Sequence, residues 1–475
     1  MRKKRISLDA VDFTRSKKIE KRQKVWIMVG ILFLLSGCQV TPKEDIAVNK
    51  NDVGLESKIL QSESTVDNDS LKRNSHWEDK WITDVDDISI AVDADVETLG
   101  EKYSVVRVLP HDITSDEVKE WADVLFEGNK AYEPETVMTK NEIEESILKF
   151  KQKLNNKDEL ISEYGSEEEA DRTISYYEKL IENLEQLYPT APEQHEQKEC
   201  DWNFKPYEYY NDGMLGTEDS VLSDNYELNA EAEVNGRKAN ISATNRNASD
   251  YILHYLWFYY DDIPADSEKK TMTKEEAKEV CNGILSKIGN QDQWYLYDIS
   301  SQEDEDTQIM TLYYTPVYNG VPTVLVKDLY NIKSDDVYAA NYFYQSLEIS
   351  MYNGELNYIY LTSPSDVTEI VNENVQLMDL NTMMDKAKNY MQLKISKASF
   401  DEDFSENEKI SVEVNNIQLA MFRIKEKNKD SYLMVPAWIF YGNVLDSKNQ
   451  VIRENEQLLV MNAIDGSSIN ILLGY

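Results

Sequence analysis

Glycine is scarce, 16 in 475 residues. Neither a phosphate-cradling G-x-x-x-x-G-K-[ST] loop nor a dinucleotide G-x-G-x-x-G fingerprint occurs, and the nucleophile elbow G-x-S-x-G is also missing. Histidine is scarcer, with only His76, His111, His195 and His254. No H-E-x-x-H pair forms. His195 stands five residues before Cys200 without a second ligand pair to complete a zinc site. Asp261-Asp262 and Glu303-Asp304-Glu305-Asp306 are acidic enough for calcium but lack EF-hand spacing, and read as solvated turns. No catalytic set, metal or cofactor is therefore expected. Cysteine numbers three: Cys38, Cys200 and Cys281. Cys281 falls on an apolar helical position and reads as a buried thiol, with a disulfide to Cys200 left open. No apolar run reaches the roughly 20 residues of a membrane-spanning helix.

Positive charge is also in short supply. The chain has 50 basic and 88 acidic residues. Ten of the basic and three of the acidic residues precede Cys38, so the remainder holds 40 and 85, a net of −45. Such a surface repels nucleic acid and anionic headgroups, which excludes DNA and RNA as partners. Cationic peptides or a basic protein face fit it better.

The longest apolar segment after the basic cluster, Val25 to Leu35, has eleven residues. That is the length of a signal-peptide h-region. It ends in Leu35-Ser36-Gly37-Cys38, which resembles the lipobox of bacterial lipoproteins. The resemblance implies a signal peptide over 1–37, diacylglyceryl (palmitate-type) lipidation of Cys38 and residence on the extracytoplasmic face of a Gram-positive cell membrane. Two acyl chains anchor stably where one is marginal. Replacing Cys38 by Ala is expected to abolish acyl labelling. Mass spectrometry of the mature N-terminus checks this, since a terminus other than a diacylglyceryl Cys38 would refute the anchor. Residues 38–80 are polar and aperiodic and read as a disordered tether.

The remaining chain is too long for one core. Its patterns predict an α+β fold. An N-terminal α+β domain is expected over 81–265. Ile88, Ile90, Val92, Ala94 and Val96 alternate as a half-buried strand, and Tyr103–Val108 follows as another. Thr114 with Glu117, and Thr139 with Glu142, are capping boxes. A further helix spans 167–188, with Ala170, Ile174, Tyr177, Ile181, Leu184 and Leu187 inward. YILHYLWFYY, at 251–260, is aromatic enough for a buried strand. Two helix-plus-strands units then follow, at 266–375 and 376–475. Thr273 and Glu276 cap the first helix, with Val280 and Leu285 among its inward residues, and Leu380–Met391 forms the second.

TKEEAKEVCNGILSKIG with QIMTLYYTPVYNGVPT, and YLMVPAWIFYG with LLVMNAIDGSSIN, resemble PepSY modules. Asn462-Ala463-Ile464-Asp465-Gly466 is similar to the PepSY Asn/Asp-Ala-x-x-Gly turn, and Val435-Pro436-Ala437-Trp438 to the strand before it. The tandem is similar to the YycH and YycI regulators of a cell-wall sensor kinase. The whole chain resembles an uncharacterised class of clostridial (Firmicutes) lipoproteins. These resemblances imply a lipid-anchored protein that binds or regulates an envelope protein and is not an enzyme.

Thirty tyrosines stand apart from this economy, several in clusters. They serve either recognition or the sheet itself. Tyr313, Tyr314, Tyr318, Trp438 and Asp465 are the candidates for partner or ligand contact. Asp465-Gly466 also reads as a plain hairpin turn. A peptide- or glycan-binding lipoprotein is the alternative. The lesser alternative is an envelope hydrolase, with His254 and Asp261 the place to look.

Overall fold

The computed structural model describes residues 52–61, 76–84, 86–134, 137–157, 160–161, 166–207, 225–247, 252–261, 270–289, 291–304, 307–326, 342–396, 400, 409–426, 429, 431–471 and 474. Cys38 and the signal segment lie outside them. Six α-helices and sixteen strands in two sheets make an α+β fold among the described residues. They run in the order α1 (Asp52–Gln61), β1 (His76–Ile82), β2 (Ser89–Thr98), β3 (Val105–Pro110), α2 (Ser115–Leu125), α3 (Lys140–Leu154), α4 (Glu167–Leu187), β4 (Lys205–Pro206), β5 (Asn225–Val234), β6 (Arg237–Asn247) and β7 (Ile252–Tyr260). Next come α5 (Lys274–Ile288), β8 (Trp294–Glu303), β9 (Gln308–Tyr318), β10 (Val321–Pro322), β11 (Ser346–Tyr352), β12 (Glu355–Thr362), β13 (Ser365–Asn372), α6 (Leu380–Lys394), β14 (Ser411–Lys425), β15 (Tyr432–Leu445) and β16 (Val451–Asn462).

The three capping boxes form. At Thr114, Thr139 and Thr273 the hydroxyl accepts from the N–H of Glu117, Glu142 and Glu276, and each Glu carboxylate accepts from the threonine N–H in return. Two donors that the helix itself cannot satisfy are thereby met at each start. Three Asn-Gly pairs, at 235–236, 319–320 and 353–354, carry positive φ at both residues. That conformation matches the twist of the strands they join.

Tyr132–Cys200 forms one compact unit. Its helices α3 and α4 pack through Phe150 and Tyr177, stacked at 5.2 Å, with Leu160 and Ala170 buried beside them. Leu187, expected inward, is exposed at the helix end.

The described residues of 44–131 and 201–475 form the other unit. Its first sheet has the order β1-β2-β14-β15-β3-β13, with β16 sharing the β15 edge. β2 pairs parallel with β14, and every other pairing here is antiparallel. Both faces are buried. Ile90, Val92, Leu419, Trp438 and Met461 face Met383, Ala387 and Met391 of α6. Ala420, Phe422, Val435, Ile439 and Val460 form the opposite core with Ile59 of α1. Strand β15 is therefore apolar along almost its whole length, as a strand covered on both faces must be. Pro436 sits where the β15 edge passes from β3, paired up to Met434, to β16, paired from Ala437. A missing N–H costs no ladder bond there.

The second sheet has the order β10-β9-β11-β12-β7-β6-β5-β4, with β8 beside β9. Its inner face presents Leu228, Ile241, Leu256, Phe258, Leu312, Ile349 and Ile359. Helices α2 and α5 cover it, through Val118, Trp121, Ala122 and Leu125 of one and Ala277, Cys281, Leu285 and Ile288 of the other. Val280, expected inward, is 40% exposed.

Two expectations are corrected. The tether over 38–80 is ordered in part. Ile59 of α1 is 2% exposed and its carbonyl accepts from Asn372 Nδ2 at 2.6 Å, while β1 begins at His76. Trp77 and Trp81 of β1 pack on the core, so a short aromatic strand hides behind a polar stretch. The boundaries at 265 and 375 do not follow the sheets. Strands β2 and β3 from the N-terminal segment lie in the same sheet as β14–β16, and β7 pairs with β12. Hydrophobic periodicity identifies strands but carries no information on pairing across 300 residues.

Candidate functional site

Alternation in β7 splits the aromatic run between two faces. His254, Leu256 and Phe258 point inward and are buried. Tyr255, Trp257 and Tyr259 point to the outer face of the second sheet. Trp257 is 39% exposed. Cross-strand register builds a platform around it. Trp257 lies opposite Tyr360 of β12 and Ser242 of β6. Tyr259 lies opposite Tyr358 and Asn240, and Tyr255 opposite Thr362 and Thr244. Ring centroids stand 4.3 Å apart for Trp257–Tyr259, 6.3 Å for Trp257–Tyr360 and 5.8 Å for Tyr255–Tyr360. One strand further on, Glu348 of β11 opposes both Tyr360 and Tyr313 of β9. Tyr358 is pushed up to about 12, by burial first and then by the nearby Glu348 charge. The Tyr358 phenol thus stays a neutral hydrogen-bonding group at physiological pH.

Carboxylates frame the platform. Glu227 and Glu231 of β5 lie in the row beyond Thr244 and Asn240, and Asp298 of β8 opposes Tyr313. Lys238 pairs with Glu231 at 2.8 Å. Flat π faces beside carboxylates suit cationic and amphipathic groups.

The five residues singled out from the sequence do not come together. Tyr313 stands on the outer face beside Glu348. Tyr314 points inward to Cys281, where burial raises both groups, the thiol to about 12. Tyr318 lines a small cavity beside Arg423. Trp438 is fully buried among Leu419 and Met461 and presents nothing to a partner. Asp465 is a turn residue, its Oδ1 accepting from the Ser467 N–H at 2.8 Å and hydroxyl at 2.7 Å. Gly466 has φ +73°, and a Cβ there would meet Lys386 of α6 at 2.6 Å. The Asp-Gly tip is thus packed on a helix. The platform residues Trp257, Tyr358 and Tyr360 lay within the sequence clusters, but parity alone could not say which face of the sheet was covered. Cys200 and Cys281 are buried thiols with no disulfide.

Two histidines do meet. His254 Nδ1 donates to the His111 carbonyl at 2.6 Å. Burial lowers its pKa. Its nearest carboxylate is Asp112, at 3.4 Å, and not Asp261. Asp261 accepts from Asn240 at 2.7 Å, at the far end of β7. His111 itself is clamped between Glu117 at 2.9 Å and Asp366 at 3.0 Å, the Glu117 bond foremost in raising it to about 9. An imidazolium held on both nitrogens is a fixed cross-link joining β3, α2 and β13. Among the described residues, no group of three or more His, Cys, Asp or Glu side chains is arranged to hold a metal ion, and no helix is long and apolar enough to cross a membrane.

No family model matches the chain, and no curated protein matches it. Among solved structures, the 1.45 Å crystal structure of an uncharacterized protein from Eubacterium rectale ATCC 33656 is similar at 11% identity, with 89% of this chain and 99% of that one covered and a TM-score of 0.36.

Proposed function

We propose that the protein is a non-enzymatic, lipid-anchored envelope protein that holds a lysine- or arginine-bearing segment of another envelope protein on the outer face of its second sheet. The observation that carries this reading is the Trp257–Tyr360 platform with its frame of carboxylates. Rings recognise the stems and charges of basic side chains, at about 0.5–1 kcal/mol per exposed cation–π contact. The carboxylates and the net charge of −45 steer such a segment in. Anchoring at Cys38 would keep the platform near the membrane, where envelope proteins are met. The PepSY-like and YycH/YycI-like resemblances agree with a regulatory binding role.

The test uses the mature protein and synthetic probes: a lysine- and arginine-rich peptide, its acidic counterpart and a neutral cell-wall oligosaccharide. Calorimetry is expected to show binding of the basic peptide, weakening with salt as screening shortens the Debye length. Trp257→Ala is expected to weaken it about tenfold or more, since buried aromatic anchors dominate interfaces. Binding of the oligosaccharide with no binding of the basic peptide would instead favour the glycan reading. Unchanged peptide affinity in Trp257→Ala would remove the platform from the mechanism.

A further inference from the structure

Arg423 on β14 is a cation placed where a cation is costly. It is 4% exposed. Its Nη1 donates to the Phe343 carbonyl at 2.5 Å and its Nη2 to the Tyr342 carbonyl. The rings of Tyr344, Tyr432 and Tyr342 stand 4.5, 4.6 and 5.4 Å from the guanidinium carbon. No carboxylate pairs with it among the described residues. Two carbonyls use two of five N–H donors. Dipoles and ring faces offset part of the cost of burying the charge, but neither supplies a counter-charge.

Beside the guanidinium lies a cavity of about 20 Å³. That volume admits one or two water-sized bodies. Besides Arg423, its polar lining is Tyr318, Thr323, Gln345 and Ser365. The Tyr318 hydroxyl donates to Gln345 Oε1 at 3.2 Å, which leaves the Gln345 NH2 donors available. Among the described residues the lining contains no Asp or Glu. A buried positive charge with unused donors, a cavity at its side and no carboxylate among the described lining residues are the components of an anion site.

We propose that this cavity binds a small monovalent anion of about chloride size, held by the Arg423 guanidinium. Room for one or two water-sized bodies suits a compact monatomic anion. The acidic exterior does not forbid it, because screening confines surface charge to about 8 Å at physiological ionic strength. The site lies where the sheets meet. Arg423 and Met421 come from β14 of the first sheet, while Pro316 and Tyr318 come from β9 of the second. A bound anion would tie the two sheets together, so its effect should appear as stability.

Thermal unfolding of the mature protein in sodium chloride and in sodium gluconate at equal ionic strength tests this. A ligand bound only by the folded state raises the midpoint. A rise of about 1–2 °C is expected in chloride at concentrations roughly tenfold above its dissociation constant. Arg423→Lys keeps the charge but loses the fork, and is expected to lose most of that difference. If Arg423→Lys does not fold, Ser365→Ala is expected to reduce it. A crystal soaked in bromide should show an anomalous peak beside Arg423. Equal midpoints in both salts, a difference that persists unchanged in Arg423→Lys, or the lack of a bromide peak would overturn the assignment.

Discussion

Trp438→Ala is expected to cost about 3–5 kcal/mol of stability, read as a lower urea midpoint, while the variant that still folds keeps its affinity for the basic peptide. Trp438 is fully buried on the central strand β15, between Leu419 and Met461, against α6. Truncating such a ring forfeits its transfer energy and leaves a cavity. Against a typical total of about 5–15 kcal/mol, that is a large fraction. The indole Nε1 adds a second test, because it is buried without a hydrogen-bond partner. Trp438→Phe removes that orphan donor while keeping most of the volume. Its cost is expected to stay below about 1.5 kcal/mol. A peptide affinity that fell in Trp438→Phe while stability held would return Trp438 to the binding site.

Trp438 illustrates what the sequence could and could not say. Val-Pro-Ala-Trp within a long apolar strand marks a residue of consequence, but not whether it meets a partner or the core. Burial on both faces of β15 decides that, and it depends on β14, β3, β16, α6 and α1 converging from across the chain. Local signals were legible. Thr114/Glu117, Thr139/Glu142 and Thr273/Glu276 mark three helix starts, because a capping box is written within four residues. Val118, Trp121, Ala122 and Leu125 are the buried stripe of α2, as their spacing required. Strand β13 leaves no such signal, because it is an edge strand whose side chains, Val367 and Ile370 included, are largely exposed, so no alternation appears in it. The parallel pairing of β2 with β14 could not be read at all, since both partners satisfy the same strand pattern with any neighbour.

The platform follows the same division. Aromatic residues in β7 and β12 were visible as clusters. Their assembly required the register that sets Trp257 against Tyr360, and the helices α2 and α5 that cover the opposite face. The inward residues Leu256 and Phe258 hold the strand in place, so the outward rings are free of that task. That separation is why Trp257→Ala tests recognition while Trp438→Ala tests folding.

Stability should also depend on pH in two separable windows. Burial alone would raise the Glu426 carboxyl, but hydrogen bonds from Arg107, Lys429 and Ser431 bring it from 4.5 down to about 2. Arg107 grips it through Nε at 2.7 Å and Nη2 at 3.2 Å. A depressed carboxyl stabilises the fold above its unfolded value, and the contribution is lost as pH falls from 4.5 through about 2. The size is about 3 kcal/mol at most. His111 acts in the other direction. Its pKa is raised from 6.5 to about 9, chiefly by Glu117 and then Asp366, against the cost of its own burial. Its contribution is fully present below 6.5 and lost as pH rises through about 9. Partial exposure of both carboxylates limits it to about 1–3 kcal/mol. His254, lowered by burial, opposes it, losing stability as pH falls below 6.5. Urea midpoints measured from pH 3 to pH 9.5 therefore should fall on both sides of neutrality. His111→Asn is expected to flatten the alkaline limb and leave the acid limb, while Glu426→Gln does the reverse. An alkaline limb of unchanged slope in His111→Asn would show that the imidazolium clamp does not hold β3, α2 and β13 together.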